Sequence, residues 1–326
     1  MKNLYPLKFN SIYKDKIWGG QKIKTELGKN YGTISNCGES WEISGIPDNI
    51  SVVCNGFLKD NNLEELVEIY MGDLIGDRIF KKFGLNFPLL IKFIDANDDL
   101  SIQVHPNDEL AKKRNLPFGK TEMWYVLNAN EGSKLNCGFN QPMTKEKYLD
   151  KLNSGKIMDI LNFAEVKTGD VFFVPAGRVH SIGKGILLAE IQQTSDATYR
   201  IYDYNRKDAQ GNTRELHTKL ALDAFDFTFH KDVRTNYNKE LNKSSKLISC
   251  PYFTTNLLEF DKTIEKDIFH LDSFVIYMCT EGEYKIEYNN TSMNVTKGET
   301  VLIPASLYEY MLIPSTDKVT LLEIHL

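Results

Sequence analysis

"GDVFFVPAGRVHSI" (169–182) has a near twin in "GETVLIPASLYEYM" (298–311). Both read G-x5-P-x-small: a strand, a tight turn and a return strand. Glycine suits the turn into the strand, and proline fixes the strand's end. A pattern repeated this far apart predicts two barrels of similar fold within one chain. The copies differ where it matters. His180 in the first is replaced at the same offset by Glu309 in the second, so one barrel is expected to hold a metal that the other has lost.

Outward from this repeat, short β-rich runs recur between Gly, Pro and Asn punctuation. In the first half they are 88–94, 100–105, 122–127, 170–176, 185–193 and 198–204; in the second, 252–260, 274–282, 284–289, 300–305 and 318–326. Many short strands at such spacing predict a mainly β architecture. Residues 62–84, 144–162 and 213–227 carry helical periodicity, the last with Thr213 as N-cap. The polar stretch 230–246 reads as a connection, dividing the chain into 1–229, 230–246 and 247–326.

The chain has 326 residues, 25% of them charged and 42% hydrophobic, which is ordinary for a globular protein with ample core. A net charge of −5 leaves no electrostatic footprint for nucleic acid. Neither a signal peptide nor a membrane-spanning run is legible. Five widely spaced cysteines without a CxxC pair fit a reducing cytoplasm.

"LSIQVHPND" (100–108) alternates, so Gln103 and His105 share a face while Ile102 and Val104 take the other. The full pattern Gly169, Pro175, Gly177, His180 matches the second signature of the cupin barrels. The first signature corresponds to Gln103, His105 and, further on, Glu122. Two imidazoles, a carboxylate and an amide oxygen suit Zn2+, with Mn2+, Fe2+ or Co2+ possible in its place. The histidines at 217, 230, 270 and 325 have no partner pattern and read as structural. Asp108 and Pro106 read as shaping the turn and capping the following short helix.

"PLLIKFIDANDDLSIQVHPND", "GKTEMWYVL", "VPAGRVHSI" and "EIQQTSDATYRIYDYNR" together resemble the type I mannose-6-phosphate isomerases, as do "KIWGG" (16–20) and "GESWEIS" (38–44). The resemblance runs from about Lys16 to Arg206, and a degenerate second cupin barrel fits the remainder. It implies a zinc-dependent aldose–ketose isomerase, one Zn2+ per chain, acting on mannose 6-phosphate and fructose 6-phosphate, cytoplasmic and monomeric or homodimeric. By the same resemblance the metal ligands fall on Gln103, His105, Glu122 and His180, and the active-site arginine on Arg200. Glu190 and Lys120 stand as acid–base candidates. Ser101, Lys92, Lys120, Asp196 and Arg206 are expected at the substrate, with Trp18 either flooring the sugar site or stapling strands. Asp196 and a metal-bound hydroxide remain alternative bases. An Fe2+ cupin dioxygenase and a sugar-binding cupin without turnover remain the competing readings.

Overall fold

A computed structural model describes residues 3–207 and 210–326. The protein is mainly β, and its strands fall into two pairs of larger sheets. In the first half a six-stranded sheet runs Val171–Val174, Glu122–Ala129, Ile186–Gln193, Leu89–Ala96, Cys37–Ile43, Ile12–Gly20. Facing it is a five-stranded sheet, Leu161–Glu165, Lys134–Phe139, His180–Ile182, Ile102–Val104, Tyr199–Tyr202. The second half repeats the order: Thr300–Ile303, Val275–Glu281, Val319–His325, Thr254–Phe260, Lys243–Ser249, faced by Thr291–Thr296, Glu283–Tyr288, Glu309–Pro314, Ile264–Asp267. The expected closed barrels are therefore seen as open facing pairs, none of whose sheets closes on itself by hydrogen bonding.

Alternation explains both the pairs and their union. Trp124, Val126, Phe172, Val174 and Leu188 pack inward against Leu135, Cys137 and Ile182 of the facing sheet. Tyr277, Val301, Ile303 and Leu321 do the same against Ile286, Tyr310 and Leu312. The intervening residues point the other way. Ile91, Met123, Tyr125 and Ala189 of one large sheet share a core with Leu257, Ile276, Met278 and Leu322 of the other. The halves are thus joined sheet to sheet through apolar surface. The N-terminal pair Leu7–Lys8 adds to the second half's sheet beside Leu302 and Val301.

Several local expectations are corrected. Residues 62–84 form Leu63–Ile75, itself kinked at Met71 where φ is +46°, and Asp77–Phe83, the two parted at Gly76, whose φ is +96°. Asn62 and Glu65 build a capping box on the first, and Asp272 of the second half accepts from the first two amides of the other. Residues 144–162 give the helix Lys145–Asn153 and the 3-10 turn Ile157–Ile160, and then a strand begins at Leu161. Of 213–227 only Thr218–Ala221 is helical, and His217 rather than Thr213 precedes it. Asn107, not Asp108, caps Asp108–Lys113; the Asp108 carboxylate instead accepts from the Gly119 amide and Gln193. The stretch 230–246 ends inside the strand Lys243–Ser249.

The repeat carries the most consequential correction. His180 pairs across the ladder with Gln103, and Lys266 pairs with Tyr310. Tyr310 and Leu312 are the inward residues of the return strand, whereas Glu309 is exposed. The return strand of the second copy is thus slipped by one residue, which inverts its facing. The turns explain the slip. At Gly177 φ is +91° and an added Cβ would lie 2.9 Å from the Ala224 carbonyl oxygen, whereas Ser306 in the second copy has no left-handed φ. The structural counterpart of His180 is therefore Tyr310.

Candidate metal centre and its cleft

Two rows of cross-strand neighbours build the site. In the larger sheet, Phe172, Trp124, Glu190, Lys92 and Trp41 stand side by side in register. In the facing sheet, His180, Gln103 and Arg200 stand side by side, with Gln103 in the middle. Residues directly opposite across a ladder lie close enough for their side chains to act together. Backbone pairing therefore delivers the chemistry with little help from loops.

His105, Glu122 and His180 are fully buried, and their donor atoms all lie within 4.8 Å of one another. The two imidazole Nε2 atoms are 3.1 Å apart. Glu122 lies 3.4 Å from His105 Nε2 and 3.5 Å from His180 Nε2. Four ligands about 2.0–2.1 Å from a tetrahedral ion stand roughly 3.3 Å apart, so these spacings fit an ion at their centre. Neither oxygen of Glu122 accepts a hydrogen bond, and its nearest lysine ammonium, Lys120, stands 3.5 Å away, an expensive state for a fully buried carboxylate with no ion closer.

The ring nitrogens are set for the same purpose. His180 Nδ1 donates to the Arg178 carbonyl at 2.8 Å, leaving Nε2 as the lone-pair nitrogen. Burial, Lys120 and His180 hold the His105 imidazole well below the ordinary histidine range, and burial lowers that of His180 in spite of Glu122. Both rings are thus neutral at pH 7, the ligating form. The Gln103 amide lies 3.2 Å from His180 Nε2, and a half-turn of that amide offers its oxygen in place of its nitrogen.

Gln103 also stands on the wall of a cleft of about 310 Å³. Trp18, Lys92, Ser101, Lys120, Glu190, Asp196 and Arg200 line it, so all but one of the expected substrate and acid–base residues meet there. The exception is Arg206, outside the lining, with its guanidinium on Asp203 at 2.6 Å and Asp98 at 3.4 Å. Trp18 is buried within the first half's core as well as lining the cleft. Trp124 and Tyr125 are both buried, on opposite faces of their sheet. His217 accepts from the Arg200 amide through Nδ1 and donates its own amide to the Arg200 carbonyl. That fixes the Arg200 backbone, and Arg200 Nη1 donates to the Glu215 carbonyl at 2.9 Å.

Most of the cleft's charges are paired. Lys92 lies 3.0 Å from Glu190 and 3.8 Å from Glu39. Burial pulls its pKa down, but Glu190, Glu39 and Asp196 outweigh that and raise it. Burial likewise opposes ionisation of Glu39, yet Lys92, Lys16 and the Trp41 indole, which donates at 2.6 Å, hold it down at about 2. Trp124 Nε1 donates to Glu190 at 2.9 Å. Glu39, Lys16, Thr198 and Arg214 line the cleft without having been singled out from the sequence. "GESWEIS" drew attention to Glu39's neighbourhood, but Arg214 was hidden in a segment that reads as a helix.

Comparison with known proteins identifies the family. The family profile described as "Phosphomannose isomerase type I, catalytic domain" matches residues 6–139, and "Mannose-6-phosphate isomerase, cupin domain" matches 243–317. The chain is similar to mannose-6-phosphate isomerase ManA of Bacillus subtilis, 36% identical over 313 residues that cover 94% of this chain and 95% of that protein. It is 34% identical over 305 residues to a mannose-6-phosphate isomerase of Streptococcus mutans, covering 93% of each. The solved mannose 6-phosphate isomerase from Bacillus subtilis matches with a TM-score of 0.89 at 32% identity, over 99% of this chain and 100% of that one.

Proposed function

The chain belongs to the type I phosphomannose isomerase family, and we propose that it interconverts mannose 6-phosphate and fructose 6-phosphate as a zinc-dependent aldose–ketose isomerase working through a cis-enediol. The observation that carries this reading is the donor-less carboxylate of Glu122 facing two imidazoles beside a polar cleft. Gln103, His105, Glu122 and His180 would hold the ion. When bound, it supplies Lewis-acid polarisation and a template for the sugar oxygens.

The remaining steps fall to side chains. Isomerisation moves a proton between C1 and C2 and leaves negative charge on the adjoining oxygens. Arg200, the ladder neighbour of Gln103, stays cationic throughout and stabilises that charge. Glu190 carries the proton. Its carboxylate is oriented by the Trp124 indole and Lys92, and lines the cleft on the sheet facing Arg200. Lys120, 3.5 Å from Glu122, is the second acid–base group beside the substrate oxygens. Ser101, Asp196, Lys92 and Trp18 contact the sugar, and Arg206 acts from outside the cleft through Asp203.

Each pair of facing sheets is taken as a cupin-type barrel, divided as 1–229, 230–246 and 247–326, with only the first retaining a metal. All five cysteines are unpaired, and no helix among the described residues is long and apolar enough to cross a membrane. A cytoplasmic enzyme, monomeric or homodimeric, is the corresponding proposal. A coupled assay following fructose 6-phosphate from mannose 6-phosphate, with and without chelator, tests the function. Chelator-sensitive turnover restored by zinc is expected; no product in untreated enzyme would overturn the isomerase reading.

A further inference from the structure

We propose that Gln193 is a positioning residue for the metal centre: together with Asp108 it holds the backbone of residues 119–121 and so fixes where Lys120 and Glu122 point. Its kinetic consequence rests on the isomerase reading. The strand that carries Glu122 begins at Glu122 itself. The residues just before it lie outside the ladder that fixes the rest of that strand, although Lys120 lines the cleft and Glu122 belongs to the metal donors. Other groups must therefore set their position.

Three successive amides find acceptors outside their own segment. The Gly119 amide donates to Asp108 Oδ1 at 2.8 Å, and the Lys120 amide to the Pro106 carbonyl at 2.9 Å. The Thr121 amide donates to Gln193 Oε1 at 2.9 Å, while the Gln193 amide returns a bond to the Thr121 carbonyl at 3.1 Å. Gln193 Nε2 then donates to Asp108 Oδ1 at 3.0 Å, which closes the clamp. Only glycine permits this approach at 119, where an added Cβ would stand 2.6 Å from the Asp108 nitrogen. The Thr121 hydroxyl is engaged as well, accepting from the Ala176 amide at 3.2 Å.

The clamp joins the segments that carry the chemistry. Asp108 follows His105 by three residues and Gln193 follows Glu190 by three, so one side-chain bond ties both stretches to the backbone beside Glu122. Lys120 and Glu122 flank the held Thr121, and their head groups stand 3.5 Å apart. Gln193 itself lies outside the cleft lining and borders a separate depression with Asp108, so its influence passes through Thr121. Its side chain is buried, and its amide has a single workable orientation, oxygen towards a backbone N–H and nitrogen towards a carboxylate.

The test uses the full chain and measures zinc affinity by competition with a chelating dye, alongside steady-state kinetics. Gln193→Met, close in volume, leaves the buried Thr121 amide without its acceptor. It should weaken zinc binding and lower kcat at least about tenfold each, with KM for mannose 6-phosphate within a few-fold. Gln193→Glu should lose as much, because it sets two carboxylates against each other. Adding Asp108→Asn reverses donor and acceptor across the same bond and keeps acceptors for Thr121 and Gly119. That double variant should return zinc affinity and kcat to within about threefold of wild-type. A role in folding alone would lower the melting temperature of Gln193→Met and leave zinc affinity and kcat as in wild-type, which would overturn the assignment. A double variant no better than Gln193→Glu overturns it too, and decides the case in which the methionine variant fails to fold. If wild-type binds zinc without turning over mannose 6-phosphate, the isomerase reading falls, while the zinc affinities still decide Gln193.

Discussion

Phe172, Trp124, Glu190, Lys92 and Trp41 cross the large sheet of the first half, and Val301, Tyr277, Glu323, Asn256 and Lys246 hold the matching places in the second. On the facing sheets Gln103 and His180 correspond to Lys266 and Tyr310. Both halves keep a buried glutamate at the same point. In the first, Glu190 lines an open cleft next to donors for a metal. In the second, the Lys266 ammonium bonds Glu323, Tyr277 donates to that carboxylate at 3.1 Å, and its hydroxyl meets that of Tyr310 at 2.8 Å. Ser244 and Asn256 donate to the other oxygen. A protein-borne cation and a closed hydrogen-bond network thus fill the interior that the first half leaves open. One scaffold supports either a site or a stable core at the same position, according to whether the inward polar groups are all satisfied from within.

The comparison breaks most visibly at its metal end. His180→Ala is expected to lose the bound metal by elemental analysis and to cut turnover at least about a hundredfold. Its counterpart change, Tyr310→Phe, leaves both as in wild-type. Metal retained in the alanine variant would contradict the ligand set. On the other side, Lys266→Met strands the buried Glu323 carboxylate and should cost about 3–5 kcal/mol in denaturant unfolding, without altering metal content. Adding Glu323→Gln should recover much of that loss. A Lys266→Met protein as stable as wild-type would show that the network is not what holds the second half together.

Acid sharpens the same contrast. Glu39 is depressed from 4.5 to about 2, so its contribution to stability is present above pH 4.5 and is lost as pH falls through 2. That contribution is on the order of 3 kcal/mol. Its counterpart in the second half, Ser244, carries no charge. Glu39→Gln should therefore destabilise at pH 7 and converge on wild-type as pH approaches 2; parallel unfolding curves across that window would refute the pairing with Lys92 and Lys16. The smallest effect is expected of Tyr310→Phe on stability, about 1 kcal/mol for the loss of one buried hydroxyl contact.

Much of the site was legible because its signals are local. Alternation in "LSIQVH" put Gln103 and His105 on one face, and the glycine–proline pattern singled out His180; in the structure both histidines meet Glu122 and Gln103 meets His180. Arg200 and Lys92 were reached by resemblance and do line the cleft. What escaped depends on distant parts of the chain. Arg214 owes its place to Asp203, whose neighbours in sequence say nothing about a partner in the next loop. The stretch 213–227 has helical spacing, but its aromatics Phe225 and Phe227 pack together on both Phe139 and Tyr148 instead of winding a helix.

The sequence by itself determined which residues alternate, where strands end, and that the first copy of the repeat carries a histidine the second lacks. Tertiary structure alone decided that Tyr310 and not Glu309 fills the histidine's place, that Lys266 meets Glu323, and that Arg214 reaches the cleft. The reason is physical. Side-chain periodicity is written in neighbouring residues, whereas register is set by turns and by pairing with strands far along the chain, and a slip of one residue exchanges the inside for the outside.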